Sequence, residues 1–119
     1  MKIANKILEQ SILSKKARFY GNIIQPGNLI VKGLLEGNID AEGFVKIESK
    51  AAVKGDIKAH SCKIKGNCRG NLNIEDKLEI QKDATFHGKV SARIINIHKD
   101  AEVKLVDSVQ LITENEKSL

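Results

Sequence analysis

The sequence predicts an all-β, single-domain parallel β-helix, or solenoid, of about six windings with short flanking tails. Three observations support this fold: a glycine-centred phrase recurs, small and apolar residues fall into stacked columns, and no helical pattern separates the repeats. The phrase occurs as FYGNIIQ (19–25), LLEGNIDA (34–41), AVKGDIKA (52–59), NCRGNLNI (67–74) and TFHGKVSA (85–92).

The repeats follow one another at a spacing of 16 or 17 residues, and two windings together give a repeat of 33 residues. In this alignment the windings begin at Leu13, Leu29, Val45, Cys62, Leu78 and Ile95. Within a winding the apolar positions mostly lie two apart, with polar residues between them, which is the periodicity of a strand with one dry and one wet face.

Two columns of the alignment consist of small residues, which indicates corners where inward side chains converge. The third column is Ala17, Gly33, Ala51, Gly66, Ala84 and Ala101. The fifth column is Gly21, Gly37, Gly55, Gly70 and Gly88, followed by Leu105 in the last winding. Glycine leaves room at a corner and permits the bend of the chain.

The column order is the same in every winding, whereas hairpins would reverse it in alternate strands. A parallel coil satisfies this order, because each winding pairs with the windings above and below it. The inward residues are odd-numbered as far as Ala59, even-numbered from Cys62 to Ala92, and odd-numbered again from Ile95. Both changes of parity fall at the same expected corner. Lys15 in the first winding, and Leu105 and Asp107 in the last, depart from the pattern.

The charge balance leaves a nucleic-acid-binding module as one alternative function. The chain has 20 Lys and Arg against 15 Asp and Glu, a formal charge of +5. The outward column Lys54, Arg69, His87 and Lys104 would carry such binding, although Tyr20 and Glu36 interrupt it. The scattered lysines and the scarcity of aromatic residues favour a basic surface that simply faces solvent over one that binds nucleic acid.

The sequence predicts no catalytic, metal or cofactor site. Cys62 and Cys68 occupy inward columns otherwise filled by aliphatic residues and Phe, so we interpret both as core residues. His60, His87 and His98 have no matching nucleophile or carboxylate that the sequence defines. An enzyme of the hexapeptide-repeat acyltransferase type is a further β-solenoid alternative, but those proteins wind in steps of six residues, about 18 per turn.

The stacked phrases resemble bactofilins, bacterial polymer-forming cytoskeletal proteins. The resemblance is carried by LIVKGLLEGNI, VKIESKAAVKGDIKA, CKIKGNCRGNL and LEIQKDATFHGKVSA and covers roughly residues 17–105. It implies a right-handed, triangular β-helix that assembles end to end into nonpolar filaments without a nucleotide. It also implies a cytoplasmic scaffold for cell shape and for cell-wall-modifying enzymes, associated with the inner face of the cell membrane.

The ends of the predicted coil carry core-type residues rather than polar caps, which monomeric solenoids need. We therefore expect the protein to polymerise with itself through its first and last windings. Phe19 and Ile23 are the candidate contact residues at one end, and Val103 and Leu105 are those at the other.

The alignment divides the chain into an N-terminal tail (1–12), a β-helix domain (13–106) and a C-terminal tail (107–119). The N-terminal tail lacks the features of a signal peptide, and no apolar run in the chain has the length of a membrane span. Three roles for this tail remain open: a membrane-targeting segment, which the resemblance implies, a cap over the first winding, and a disordered tail. Its candidate membrane-contact residues fall at helical spacing and are Ile3, Ile7, Leu8 and Ile12.

Overall fold

The computed structural model of the protein describes residues 10–106, which form fifteen short strands and no helix. The strands are β1 (Gln10–Leu13), β2 (Arg18–Tyr20), β3 (Ile23–Gln25), β4 (Asn28–Val31), β5 (Leu34–Glu36), β6 (Ile39–Ala41), β7 (Phe44–Ile47), β8 (Ala52–Lys54), β9 (Ile57–Ala59), β10 (Ser61–Ile64), β11 (Asn67–Ile74), β12 (Lys77–Ile80), β13 (Thr85–Ser91), β14 (Ile94–Ile97) and β15 (Glu102–Leu105).

The strands stack into three faces, and every strand pair is parallel. The first face has the order β1-β4-β7-β10-β12-β14. The second runs β2-β5-β8-β11-β13-β15, and the third runs β3-β6-β9-β11-β13, because β11 and β13 pass through the corner between these two faces. Three stacked faces around one axis form a coil of about six windings with a triangular cross-section. The predicted parallel β-helix is thus confirmed.

The core fills the inside of the coil with one column of side chains for each inward position. Phe86, Leu35, Ile47 and Ile64 are among its most deeply buried members. The buried positions are odd-numbered to Ala59, even-numbered from Cys62 to Val90 and odd-numbered again at Ile95, as the sequence predicted. The changes occur where the chain turns the third corner, between the third face and the first.

The first winding has a different register from the one predicted. Ser11 pairs with Leu29, and Leu13 pairs with Val31, so Leu13 occupies the second column rather than the first. Leu13 therefore fills the inward position that we assigned to Lys15. The shift of two residues arises because a four-residue turn (14–17) follows β1, and the sequence alignment allowed only two residues there.

The first corner, between the first and second faces, uses turns of two lengths. Four-residue turns cover 14–17, 48–51, 81–84 and 98–101, whereas 32–33 and 65–66 are two-residue turns. The long turns end in Ala and the short turns end in Gly. A Cβ at Gly33 would overlap the carbonyl oxygens of Ser14 and Ala17, so the short turn fits against its neighbour only without a side chain.

The second corner depends on the glycine column. Its glycines have φ between +136° and +152°, a conformation that other residues rarely adopt. A Cβ at Gly37 would also overlap the carbonyl oxygen of Gly21, and the same overlap recurs between Gly55 and Gly37. The corner therefore requires glycine both for its backbone conformation and for the close approach of successive windings.

The coil begins earlier than the predicted boundary at residue 13, because β1 starts at Gln10. Ile12, which we placed in the N-terminal tail at helical spacing, lies in β1 and pairs with Ile30. Ile3, Ile7, Leu8 and the predicted C-terminal tail (107–119) lie outside the described residues.

Candidate functional site

The N-terminal end of the coil presents three strand edges and part of the core. In the described residues β1, β2 and β3 each pair on one side only, with β4, β5 and β6. Phe19 and Ile23 are partly buried and pack against the core cluster from this end. The structure thus places both predicted contact residues in the first winding, on neighbouring faces.

The C-terminal end has the corresponding arrangement. Val103 packs against the core from β15, and Leu105 pairs with Gly88, which places it in the glycine column as predicted. Leu105 is 38% exposed, and the neighbouring Val106 is 44% exposed. The two predicted residue pairs lie at opposite ends of the coil and do not meet within one molecule.

The first winding also carries an exposed apolar surface that we did not predict, formed by the outward side chains Ile12, Tyr20 and Ile24. They lie on the three faces of the first winding and are 54%, 68% and 81% exposed. The later windings mostly carry polar residues at the matching outward positions. Comparing outward columns, rather than only inward ones, would have revealed this difference, because the pattern departs from polar only near the N-terminal end.

The two cysteines are free, buried core residues, as predicted. Burial, reinforced by the nearby Cys68, raises the pKa of the Cys62 thiol well above its usual value. Burial alone raises the pKa of Cys68 to about 12. Both thiols are therefore protonated at neutral pH, and a protonated thiol is neither a good nucleophile nor a metal ligand.

Polar side chains of the second corner accept hydrogen bonds from the backbone of the next winding. Asn22 Oδ1 accepts a hydrogen bond from the N–H of Asn38 at 3.0 Å, and Asn38 Oδ1 accepts one from the N–H of Asp56 at 3.0 Å. Asp56 Oδ1 continues this ladder by accepting from Asn71 N–H at 3.1 Å. The ladder ties each winding to the next.

The histidines lie in three separate surroundings. His60 Nδ1 is 3.1 Å from Glu75 Oε1, His98 Nδ1 accepts from the N–H of Asp100, and His87 lines a shallow groove on the second face. Among residues 10–106 no group of three His, Cys, Asp or Glu side chains is placed to hold a metal ion.

The outward basic column on the second face has the register that the sequence predicted. Arg69 pairs with Lys54 on one side and with His87 on the other, and His87 pairs with Lys104. Glu36 lies 3.8 Å from the Lys54 ammonium and partly neutralises the column. This column is the surface on which the nucleic-acid alternative depends.

Parallel strands stacked on three faces around one axis define a β-solenoid, and in the described residues the strands at its two ends pair on one side only. The comparison with known families agrees with this class. Residues 11–105 match the family model Bactofilin, described as polymer-forming cytoskeletal, and the chain belongs to this family. It is therefore a member of a structural, polymer-forming family.

No match to the chain was found among curated proteins or among solved structures. Within the described part of the chain, no helix is long and apolar enough to cross a membrane.

Proposed function

We propose that this protein assembles end to end with copies of itself into filaments, without a bound nucleotide, and that the filaments form a scaffold for cell shape or envelope organisation. The observation that carries the proposal is that, in the described residues, the strands at both ends of the coil pair on one side only. Phe19 and Ile23 at one end and Val103 at the other are only partly buried against the core, and Leu105 beside Val103 is 38% exposed.

The physical argument rests on unpaired strand edges. An edge strand presents a row of free N–H and C=O groups, which is a template for pairing with another chain. Stacking a second copy on the end would supply the missing hydrogen bonds and would bury the exposed parts of the core residues. Burial of apolar surface contributes about 25 cal/mol for each Å², so the two effects act together at the same contact.

The experiment that tests end-to-end assembly introduces a charge at one end. Leu105→Arg would place an unpaired charge in the contact, and a buried unpaired charge costs about 3 kcal/mol or more, a factor of roughly 100 in association. We expect long filaments of the wild-type protein in electron micrographs, with or without ATP, GTP or a chelator. Leu105→Arg should instead give monomers or short oligomers in sedimentation velocity runs.

Asn73→Arg is the matched control, because it adds the same charge at an exposed position of β11 in the middle of the coil. It should polymerise like the wild-type protein. A wild-type protein that sediments as a monomer at micromolar concentration would contradict the proposal, as would a dependence of assembly on nucleotide.

Two partners complete the proposal. The inner surface of the cell membrane is proposed to be contacted through Ile3, Ile7 and Leu8, and cell-wall-modifying enzymes are proposed to be organised along the filament. Membership of a polymer-forming cytoskeletal family supports a structural role, to which we add these two partners as proposals. Ile12 is not part of the membrane proposal, because it belongs to the first winding of the coil.

A further inference from the structure

One edge of the prism carries a continuous row of lysines, here called the lysine corner. It is the first corner, formed by the turns that connect the first face to the second. Each of the six turns contributes at least one lysine, and their side chains are exposed except for that of Lys65, which is partly exposed. The members are Lys15, Lys16, Lys32, Lys50, Lys65, Lys82 and Lys99.

The backbone fixes the spacing of this row. Lys32 N–H donates to the carbonyl of Leu13 at 2.8 Å, and Lys65 N–H donates to that of Ile47 at 2.8 Å. Equivalent bonds from the N–H groups of Glu48, Gln81 and His98 stack the other turns. Successive turns, each of which carries a lysine, therefore lie one winding apart, or about 4.8 Å. This separation is shorter than the Debye length of about 8 Å at physiological salt, so the neighbouring charges repel one another.

In the part of the chain that the structure describes, the lysine corner forms no ion pairs. No member has a carboxylate within 4.0 Å among the described residues, although Glu48, Asp83 and Asp100 lie in the same turns. Several lysines on the faces do form ion pairs: Lys46 with Glu48 at 3.6 Å, and Lys63 and Lys77 with Glu79 at 3.6 and 3.4 Å. Four other cations, Arg18, Lys58, Arg69 and Lys104, also have no carboxylate within 4.0 Å in the described residues, but they are spread over two faces. The seven lysines of the corner instead share one edge of the prism.

The acidic surface of a second copy of the chain is a poor binding partner for the lysine corner. The third corner carries Glu42, Glu75 and Asp76 and no lysine, but its acids have partners of their own. Asp76 accepts from Arg93 at 2.8 Å, and Glu75 lies 3.1 Å from His60. Pairing the lysine corner of one molecule with the third corner of another would have to break these contacts.

We infer that the lysine corner binds the surface of a bilayer that contains anionic lipids. Clusters of four to eight basic residues are sufficient for such binding, with about 1 kcal/mol for each lysine near the surface. A straight, convex row can meet a flat anionic surface along its whole length. A duplex offers a poorer match, since its phosphates wind around a cylinder, and the corner has no arginine for base edges and no aromatic side chain for stacking.

This inference is independent of the proposed membrane segment at residues 3–8 and uses the proposed filament only to multiply the contacts. Copies aligned along a filament would present many lysine corners to one surface, and multivalency would strengthen a weak single contact. Failure of the lipid contact would leave end-to-end assembly unaffected, so the two proposals can fail separately.

The test compares two charge-matched double variants of the full chain. Lys32→Gln with Lys82→Gln removes two charges from the lysine corner. Lys58→Gln with Lys89→Gln removes the same charge from the opposite side of the prism. Binding is measured by co-sedimentation with vesicles of phosphatidylcholine, with and without phosphatidylglycerol, at low salt, and filaments of each variant are checked by electron microscopy.

We expect the corner variant to bind anionic vesicles about thirtyfold more weakly than the wild-type protein, because each lysine near the surface contributes about fivefold. The control variant should bind within about twofold of wild type, and none should bind pure phosphatidylcholine through this edge. Equal losses in the two variants would overturn the inference, because net charge alone would then explain binding. Binding to a short DNA duplex in place of vesicles would also overturn it.

Discussion

At the scale of the residue, the most restrictive positions are the glycines of the second corner. Gly55 has φ +147°, and a Cβ there would overlap the carbonyl oxygen of Gly37 in the preceding winding. Gly21 has φ +136° but no described winding before it, and a Cβ there would meet only the ring of Phe19 at 3.6 Å. Both glycines therefore have a positive φ that favours glycine, but only at Gly55 would a side chain also overlap the preceding winding.

We predict that Gly55→Ala destabilises the fold far more than Gly21→Ala. The strained backbone alone costs about 1–3 kcal/mol, and we expect that loss for Gly21→Ala. Gly55→Ala adds the overlap between windings, so its total should exceed about 4 kcal/mol. Chemical unfolding followed by circular dichroism measures both. Equal losses would show that the close approach of successive windings does not limit the choice of residue.

At the scale of the element, the first four windings are tied together by side chains as well as by strands. The ladder of Asn22, Asn38, Asp56 and Asn71 binds backbone N–H groups at a corner where strand pairing is interrupted in the early windings. In β11 and β13 the strand continues through this corner, and Asn71 pairs with Lys89 in the ladder of those strands. The ladder therefore matters most for the first four windings.

We predict that Asn38→Ala lowers the free energy of unfolding by about 1 kcal/mol, the usual net contribution of one hydrogen bond. The substitution removes the acceptor for Asp56 N–H and leaves the bond from Asn38 N–H to Asn22 intact. Asn73→Ala, on the outside of β11, is the control and should change stability by less than about 0.5 kcal/mol. If both variants unfold alike, the ladder contributes nothing to the coil.

At the scale of the whole molecule, the described residues combine unpaired strand edges at both ends of the coil with one basic edge that has no carboxylate partners. The ends favour growth along the axis, because they expose strand edges and core side chains. The lysine corner runs parallel to that axis, so end-to-end growth would not cover it. Assembly and surface contact therefore use different parts of the molecule and do not compete.

The segment before the coil can now be tested without damage to the first winding. Deleting residues 2–9 leaves β1 intact, whereas deletion to residue 12 would remove most of it. If Ile3, Ile7 and Leu8 insert into lipid, we expect vesicle co-sedimentation to fall about tenfold, because burial of even one aliphatic side chain contributes about 1.5–3 kcal/mol. Filaments should persist.

The binding that remains after this deletion should be abolished at about 0.5 M salt, because the lysine corner acts electrostatically. Faster assembly of the deleted protein would instead identify the segment as a cap over the first winding. Unchanged vesicle binding and unchanged assembly would show that the segment contributes to neither. Either of these two results contradicts the membrane-targeting proposal.

The sequence by itself determined the coil, its inward columns and its buried cysteines. Inward side chains recur at a period of two, and every winding turns the same corners with the same small residues, so the pattern is visible without coordinates. The change of parity between Ala59 and Cys62 was predictable for the same reason. The end residues Phe19 and Leu105 were also found in this way, since they are members of stacked columns.

Only the tertiary structure decided the register of the first strand and the pairing of the charges. A turn can take up two extra residues without changing the columns on either side, so spacing alone could not distinguish Leu13 from Lys15 at the second inward position. Ion pairs depend on which side chains stack across windings and on their direction at a corner. For that reason the sequence showed scattered lysines, whereas the structure pairs Lys46, Lys54, Lys63 and Lys77 on the faces and leaves a row along one edge without carboxylate partners in the described residues.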